Sequence, residues 1–102
     1  MKALLIKADD TVQVIELPGA LAAEKYVGPY DVINMPSTGA VMVVSDTGLI
    51  DELPRNRRAF LFLVDYANKL ADVAGDAVVF MDDGSDLDIT TLPEWTQKVL
   101  TA

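Results

Sequence analysis

The chain has no cysteine and no histidine. Without cysteine there is no disulfide framework, no thiolate nucleophile and no cysteine-ligated zinc; a cysteine-free chain also fits a reducing cytoplasm. Without histidine the usual general base near neutral pH and the commonest metal ligand are both missing, which argues against most hydrolase and metalloenzyme chemistry. Long hydrophobic runs are also lacking. Met1–Lys7 carries a lysine and a short apolar stretch, but Asp9 and Asp10 interrupt it before a signal segment could form, and no later run approaches a membrane span. Aromatics are few, and they are not interleaved with arginine or lysine as on a platform for single-stranded nucleic acid.

Positive charge is scarce as well. Eight basic residues stand against sixteen acidic ones, for a net charge of −8. Residues 1–71 are nearly balanced, whereas residues 72–102 set seven acids against Lys98 alone. A field of that sign repels phosphate backbones, so general nucleic-acid binding is not expected. The acidic third reads either as a solvated surface that keeps a small protein soluble or as a face for a basic partner, with imitation of DNA as its extreme form.

About half of the 102 residues are apolar, enough to build one core without metal or disulfide. With no repeat, linker or low-complexity tract, residues 1–102 read as a single domain. Alternation in Ala3–Lys7 and Val12–Leu17 across a polar turn predicts a β-hairpin. Ala20–Val27 is rich in helix formers and closed by Gly28-Pro29. Tyr30–Met35 reads as a third strand and Ala40–Val44, apolar throughout, as a buried central one. Leu49-Ile50 follows as a short returning strand. Asn56–Ala74 is the longest helical pattern, with Phe60, Leu63, Ala67, Leu70 and Ala74 on one side, Asn56 as N-cap and Gly75 as stop signal; the apolar run Ala59–Val64 within it also fits a strand. Ala77–Met81 is a further strand, followed by an acidic turn into Leu87–Ile89 as the last hairpin. Thr91-Leu92-Pro93-Glu94 resembles a capping box opening a short helix that carries Trp95 and Val99. The expected fold is therefore α+β: a mainly antiparallel sheet of five to six strands, one longer helix and two short ones.

Asp46-Thr47-Gly48-Leu49 runs into Leu53-Pro54-Arg55-Asn56-Arg57-Arg58-Ala59, and later comes Gly75-Asp76-Ala77-Val78-Val79. This order resembles a family of small proteins of unknown function from actinobacteria, their phages and mobile elements. Its members share a Gly-Leu…Leu-Pro-x-Asn-Arg-x-Ala stretch and a Gly-Asp-Ala-Val-Val strand. The resemblance covers nearly the whole chain. It implies a compact α+β fold and a mobile-element setting, and supplies no activity. The matched residues are Asn56, Arg57 and Ala59, with Gly75 and Asp76.

Arg55-Asn56-Arg57-Arg58 is the one basic concentration. If Asn56 caps a helix, Arg57 and Arg58 sit in its first turn, where cations oppose the helix dipole. Either they pair internally, with Asp51, Glu52 or Asp76 as candidates, or they present donors to a partner. Arg57 is the expected brace and Arg58 the expected outward group. On a helix through Ala74, Leu61 and Phe62 fall near the polar side; either they form an exposed partner or dimer patch, or the terminal helix with Trp95 covers them. The acidic turn Asp82–Asp88 lacks EF-hand spacing and reads as a solvated hairpin turn. Ser37, Ser45 and Ser85 have no nucleophile-elbow context and no histidine to activate them, nothing points to a serine–lysine arrangement, and Pro36–Ala40 lacks the lysine of a phosphate loop. No catalytic, metal or cofactor residue is expected. The functional expectation is a cytoplasmic, non-enzymatic interaction protein of phage or mobile-element origin. It would bind a protein partner through Arg55, Arg57, Arg58, Leu61 and Phe62; the alternative is an acidic DNA mimic. A homodimer through a sheet edge or the Leu61/Phe62 surface is open.

Overall fold

A computed structural model describes residues 1–102. Five strands form one antiparallel sheet: β1 (Lys2–Ile6), β2 (Val12–Glu16), β3 (Tyr30–Met35), β4 (Ala40–Ser45) and β5 (Ala77–Met81), in spatial order β2-β1-β5-β4-β3. Three helices accompany it: α1 (Glu24–Val27), entered through a 3₁₀ turn at Ala20–Ala23, then α2 (Arg57–Ala67) and α3 (Glu94–Thr101). The α+β class, the antiparallel sheet and the one-long, two-short helix count are as expected from the sequence.

Period-2 alternation sorts the sheet residues between two cores. Leu4, Ile6, Met42, Val44, Ala77 and Val79 face α2, where they bury Ala59, Phe62 and Leu63. Ala3, Leu5, Val41, Val43, Val78 and Phe80 face the other way and are covered by Leu17 and Ala23, as α1 packs across β4 and β5. Both faces being covered explains why β4 and β5 are apolar almost without a break. At about 25 cal/mol per Å² of apolar surface removed from water, these two layers supply the main driving force for folding.

Four sequence expectations are corrected. The helix predicted over Asn56–Ala74 ends at Ala67: Asn68 adopts a left-handed conformation (φ 51, ψ 46), and its N–H closes onto the Leu63 and Val64 carbonyls. Asparagine tolerates that conformation better than any residue but glycine, so it can end a helix whose apolar spacing continues. Leu70 is consequently 77% exposed rather than core. Within the shortened element, Ala59–Val64 is helix rather than strand.

Leu49-Ile50 is not a strand. Asp51 N–H binds the Thr47 carbonyl at 2.8 Å, Thr47 Oγ1 donates to Asp51 Oδ2 at 2.8 Å, and Leu53 N–H reaches the Gly48 carbonyl at 2.9 Å. These local bonds coil the segment and leave Ile50 82% exposed.

Leu87–Ile89 forms no hairpin strand either. Asp88 takes the Thr90 N–H (3.0 Å) and Oγ1 (2.7 Å), turning the chain into a 3₁₀ turn at Ile89–Thr91 while Leu87 is buried in the core. The capping box fails for the same reason. Thr91 donates to the Asp88 carbonyl at 2.7 Å, and α3 starts after Pro93 with no side-chain cap.

Candidate functional site

Strand direction gives the sheet two ends. At the first lie the β1–β2 turn, the segment between β4 and α2, and the lead into β5; at the second lie the β3–β4 turn and the chain from β5 to α3.

The residues that carry the motif meet at the first end. Asn56 is buried, with both amide hydrogens and the side-chain oxygen engaged: Oδ1 accepts from Ala59 N–H at 2.9 Å, and Nδ2 donates to the Ile6 carbonyl at 2.8 Å and the Gly75 carbonyl at 3.0 Å. Its own N–H binds the Val73 carbonyl at 2.7 Å. One side chain thus caps α2 and ties it to β1 and to the lead into β5. Around it, Gly75 N–H reaches the Pro54 carbonyl at 2.8 Å, and Asp76 accepts from Ala8 N–H at 3.0 Å. Gly48 lies against Ala74 so closely that a Cβ would stand 2.6 Å from its carbonyl oxygen. Gly75 is left-handed (φ +84), with Leu53 where a side chain would go. Asn56, Ala59, Gly75 and Asp76 therefore hold the fold together.

The arginines do not act as one group. Arg55 pairs with Asp72 at 2.8 Å across an exposed surface, a partner outside the expected set of Asp51, Glu52 and Asp76. Arg57, the expected brace, is exposed and enters no ion pair. Arg58, expected to face outward, is half-buried with its guanidinium 5.5 Å from the Trp95 ring centroid and its Nε buried without a hydrogen-bond partner. The indole lies between two side chains of α2, since Trp95 Nε1 donates to Asp65 Oδ2 at 2.8 Å. Trp95 thereby fastens α3 to α2, and this use of Arg58 was not visible in its local sequence.

Leu61 and Phe62 also separate. Leu61 is exposed, but Phe62 is fully buried and packs on Tyr66 with ring centroids 4.9 Å apart. Of the two readings open for the pair, burial holds for Phe62 and exposure for Leu61 alone, so no joint patch forms: once the helix stops at Ala67, its apolar stripe is Ala59, Phe62, Leu63 and Tyr66, and Phe62 lies at its centre with Trp95 packed on the same core.

The second end holds a cleft of about 420 Å³. Tyr66, Met81 and Leu92 supply its apolar wall, and Asp65, Asp86 and Asp88 line it with carboxylates. One oxygen of each is fixed from within: Asp65 Oδ2 by Trp95, Asp86 Oδ1 by the Lys2 N–H at 2.7 Å, and Asp88 Oδ1 by Thr90. None of the three is in an ion pair. The cleft therefore offers oriented acceptors beside an aromatic ring and a thioether, with no cation among its lining residues; Lys98, paired with Glu94, shares a neighbouring hollow with Asp65. Asp82 and Asp83 lie just beyond, across Met81. The Thr90 bonds hold the Asp88 carboxyl below its ordinary value, the Ser85 hydroxyl and N–H do the same for Asp83, and those of Thr11 for Asp9. The acid content of this region is legible in the sequence but the cleft is not, because Asp65 and Tyr66 reach it from α2, some twenty residues earlier in the chain.

A single antiparallel sheet clad by helices on both faces, with no helix long and apolar enough to cross a membrane, places this chain among small α+β domains. More particularly, it belongs to the family described as a domain of unknown function (DUF3846), whose model matches residues 1–101. No curated protein and no solved structure matches it.

Proposed function

We propose that this chain is a non-enzymatic interaction factor that captures a basic segment of a protein partner in the cleft at the second end of the sheet. The observation that carries this reading is the convergence of Asp65, Asp86 and Asp88 on one apolar-walled cleft with no internal cation. A guanidinium or ammonium entering there would meet three carboxylates and the Tyr66 ring, combining charge-assisted hydrogen bonds with cation–π attraction. A non-enzymatic role is supported by the missing histidine and cysteine and by the Ser85 hydroxyl being bound to Asp83 at 2.6 Å. The phage or mobile-element origin, and with it action in the cytoplasm of a bacterial host, rests on the motif resemblance alone. DNA mimicry needs carboxylates in rows along one face; here Asp9, Asp46, Asp51 and Asp76 lie at one end of the sheet, and Asp82, Asp83, Asp86 and Asp88 at the other.

The test is calorimetric titration with short arginine- and lysine-containing peptides against neutral peptides of equal length. Binding should weaken as salt rises, and should weaken by about tenfold or more in the Asp86→Asn/Asp88→Asn chain. Equal affinity of that variant and the original would overturn the assignment.

A further inference from the structure

The sheet has two edges, and they are treated differently. On the β3 edge, Val32 N–H is taken by the Asp31 carboxylate at 2.8 Å and the Asn34 carbonyl by Lys69 Nζ at 2.8 Å. Capping outward backbone groups with charged side chains is how a sheet edge is kept from pairing with another chain. The β2 edge has no such polar cap: α3 packs against this strand, but no hydrogen bond joins the two. Met1 and Leu17 bond to each other at one limit of the β1–β2 ladder, and Lys7 N–H binds the Thr11 carbonyl at the other. With the register Ala3↔Ile15 and Leu5↔Gln13, the odd residues of β2 face β1, and Val12, Val14 and Glu16 direct their N–H and C=O groups outward. No hydrogen bond within the chain reaches those outward groups. The strand Val-Gln-Val-Ile-Glu contains no lysine, proline or bulge, and Val14 at its centre is 38% exposed.

We propose that the β2 edge is a homodimer contact, joining two copies antiparallel into one continuous sheet. A second copy is the occupant because the outward groups are symmetric about Val14. Two-fold pairing sets Val14 against Val14 of the copy and Val12 against its Glu16, so each outward donor meets an outward acceptor. The strand's only charge, Glu16, is bound to the chain's own α-amino group at 3.0 Å, which leaves the strand itself near neutral although the chain is acidic. Net repulsion between the two copies makes the contact stronger at higher salt, opposite to the salt dependence of the cleft.

Sedimentation equilibrium on the full chain, over a concentration series at low and high salt, tests this. The original chain should self-associate, more strongly at high salt. Val14→Lys and Val14→Glu should each weaken association by roughly tenfold, since like charges then stand directly opposite across the two-fold axis. An equimolar mixture of the two variants should recover it. Asp31→Ala, which uncovers the other edge, should not weaken it. The circular dichroism melt of each variant shows whether it has folded, and the mixture remains decisive even if one variant is less stable. A monomer throughout the series, or a mixture no better than the separate variants, would overturn the proposal.

Discussion

The two ends of the sheet use polar residues in opposite ways. At the first end, the side chain of Asn56 is spent entirely within the chain, and glycines bring backbones closer than any side chain would allow. At the second end, three carboxylates each commit one oxygen to a bond within the chain and line a cleft that has no cation in its lining. A short, recognisable motif thus marks the place where α2 is joined to the sheet. The surface suited to a partner is assembled from residues far apart in sequence.

The first way to break this comparison is to remove the junction. Asn56→Ala deletes a helix cap and strands the buried carbonyls of Ile6 and Gly75, which together should cost roughly 3 kcal/mol. Asn56→Asp should be at least as damaging, because a carboxylate keeps the cap but turns negative charge toward both carbonyls. Chemical denaturation of both variants measures this, and a loss confined to a surface-like few tenths would contradict the assignment. Next in size is Gly48→Ala, whose methyl group would press on the Ala74 carbonyl and cost about 1–3 kcal/mol by overpacking. None of these three substitutions should alter peptide binding at the other end in protein that remains folded.

The arginines sharpen the contrast at smaller scale. Arg58→Ala removes the guanidinium over Trp95 and should cost about 0.5–2 kcal/mol. Arg57→Ala should stay within about 0.5 kcal/mol of the original. Thermal melts of the pair decide between them, and the reverse order would restore Arg57 as the brace.

The smallest effect is on pH dependence. Asp9, Asp83 and Asp88 are held below the ordinary carboxylate value by hydrogen bonds to Thr11, Ser85 and Thr90. Their folded-state pKa values lie under the unfolded ones, so each contributes stability that is complete above the unfolded value of 3.8 and is lost as pH falls through the folded value. All three are fully exposed, so the slope is shallow. Ser85→Ala should flatten it slightly in melts followed from neutral pH downward.

Much of the fold was legible in the sequence because alternation and apolar runs report burial directly. The β1–β2 hairpin, the buried run Ala40–Val44, Ala77–Met81 and the Asn56 cap were all readable. The misreadings share one physical source, which is local polar bonding that overrides hydrophobic spacing. Asn68 ended a helix that Leu70 and Ala74 extended on paper; Asp88 and Thr90 bent a segment that read as a strand; Thr47 and Asp51 coiled another. The site was less readable still. Phe62 is open to either reading in the sequence, because helix length sets which residues form the buried stripe. The cleft joins Asp65 and Tyr66 of α2 with Met81 of β5 and the chain beyond it, a meeting that only the topology produces.

The most direct test of the two-ended account is an amide chemical-shift titration of the labelled chain with an arginine-containing peptide. Shifts are expected at Asp65, Tyr66, Met81 and Asp86–Leu92, absent from the Asp86→Asn/Asp88→Asn chain, with Asn56 to Leu61 unmoved. Shifts centred on Arg55, Arg57 and Leu61 instead would place the docking surface at the first end and contradict it.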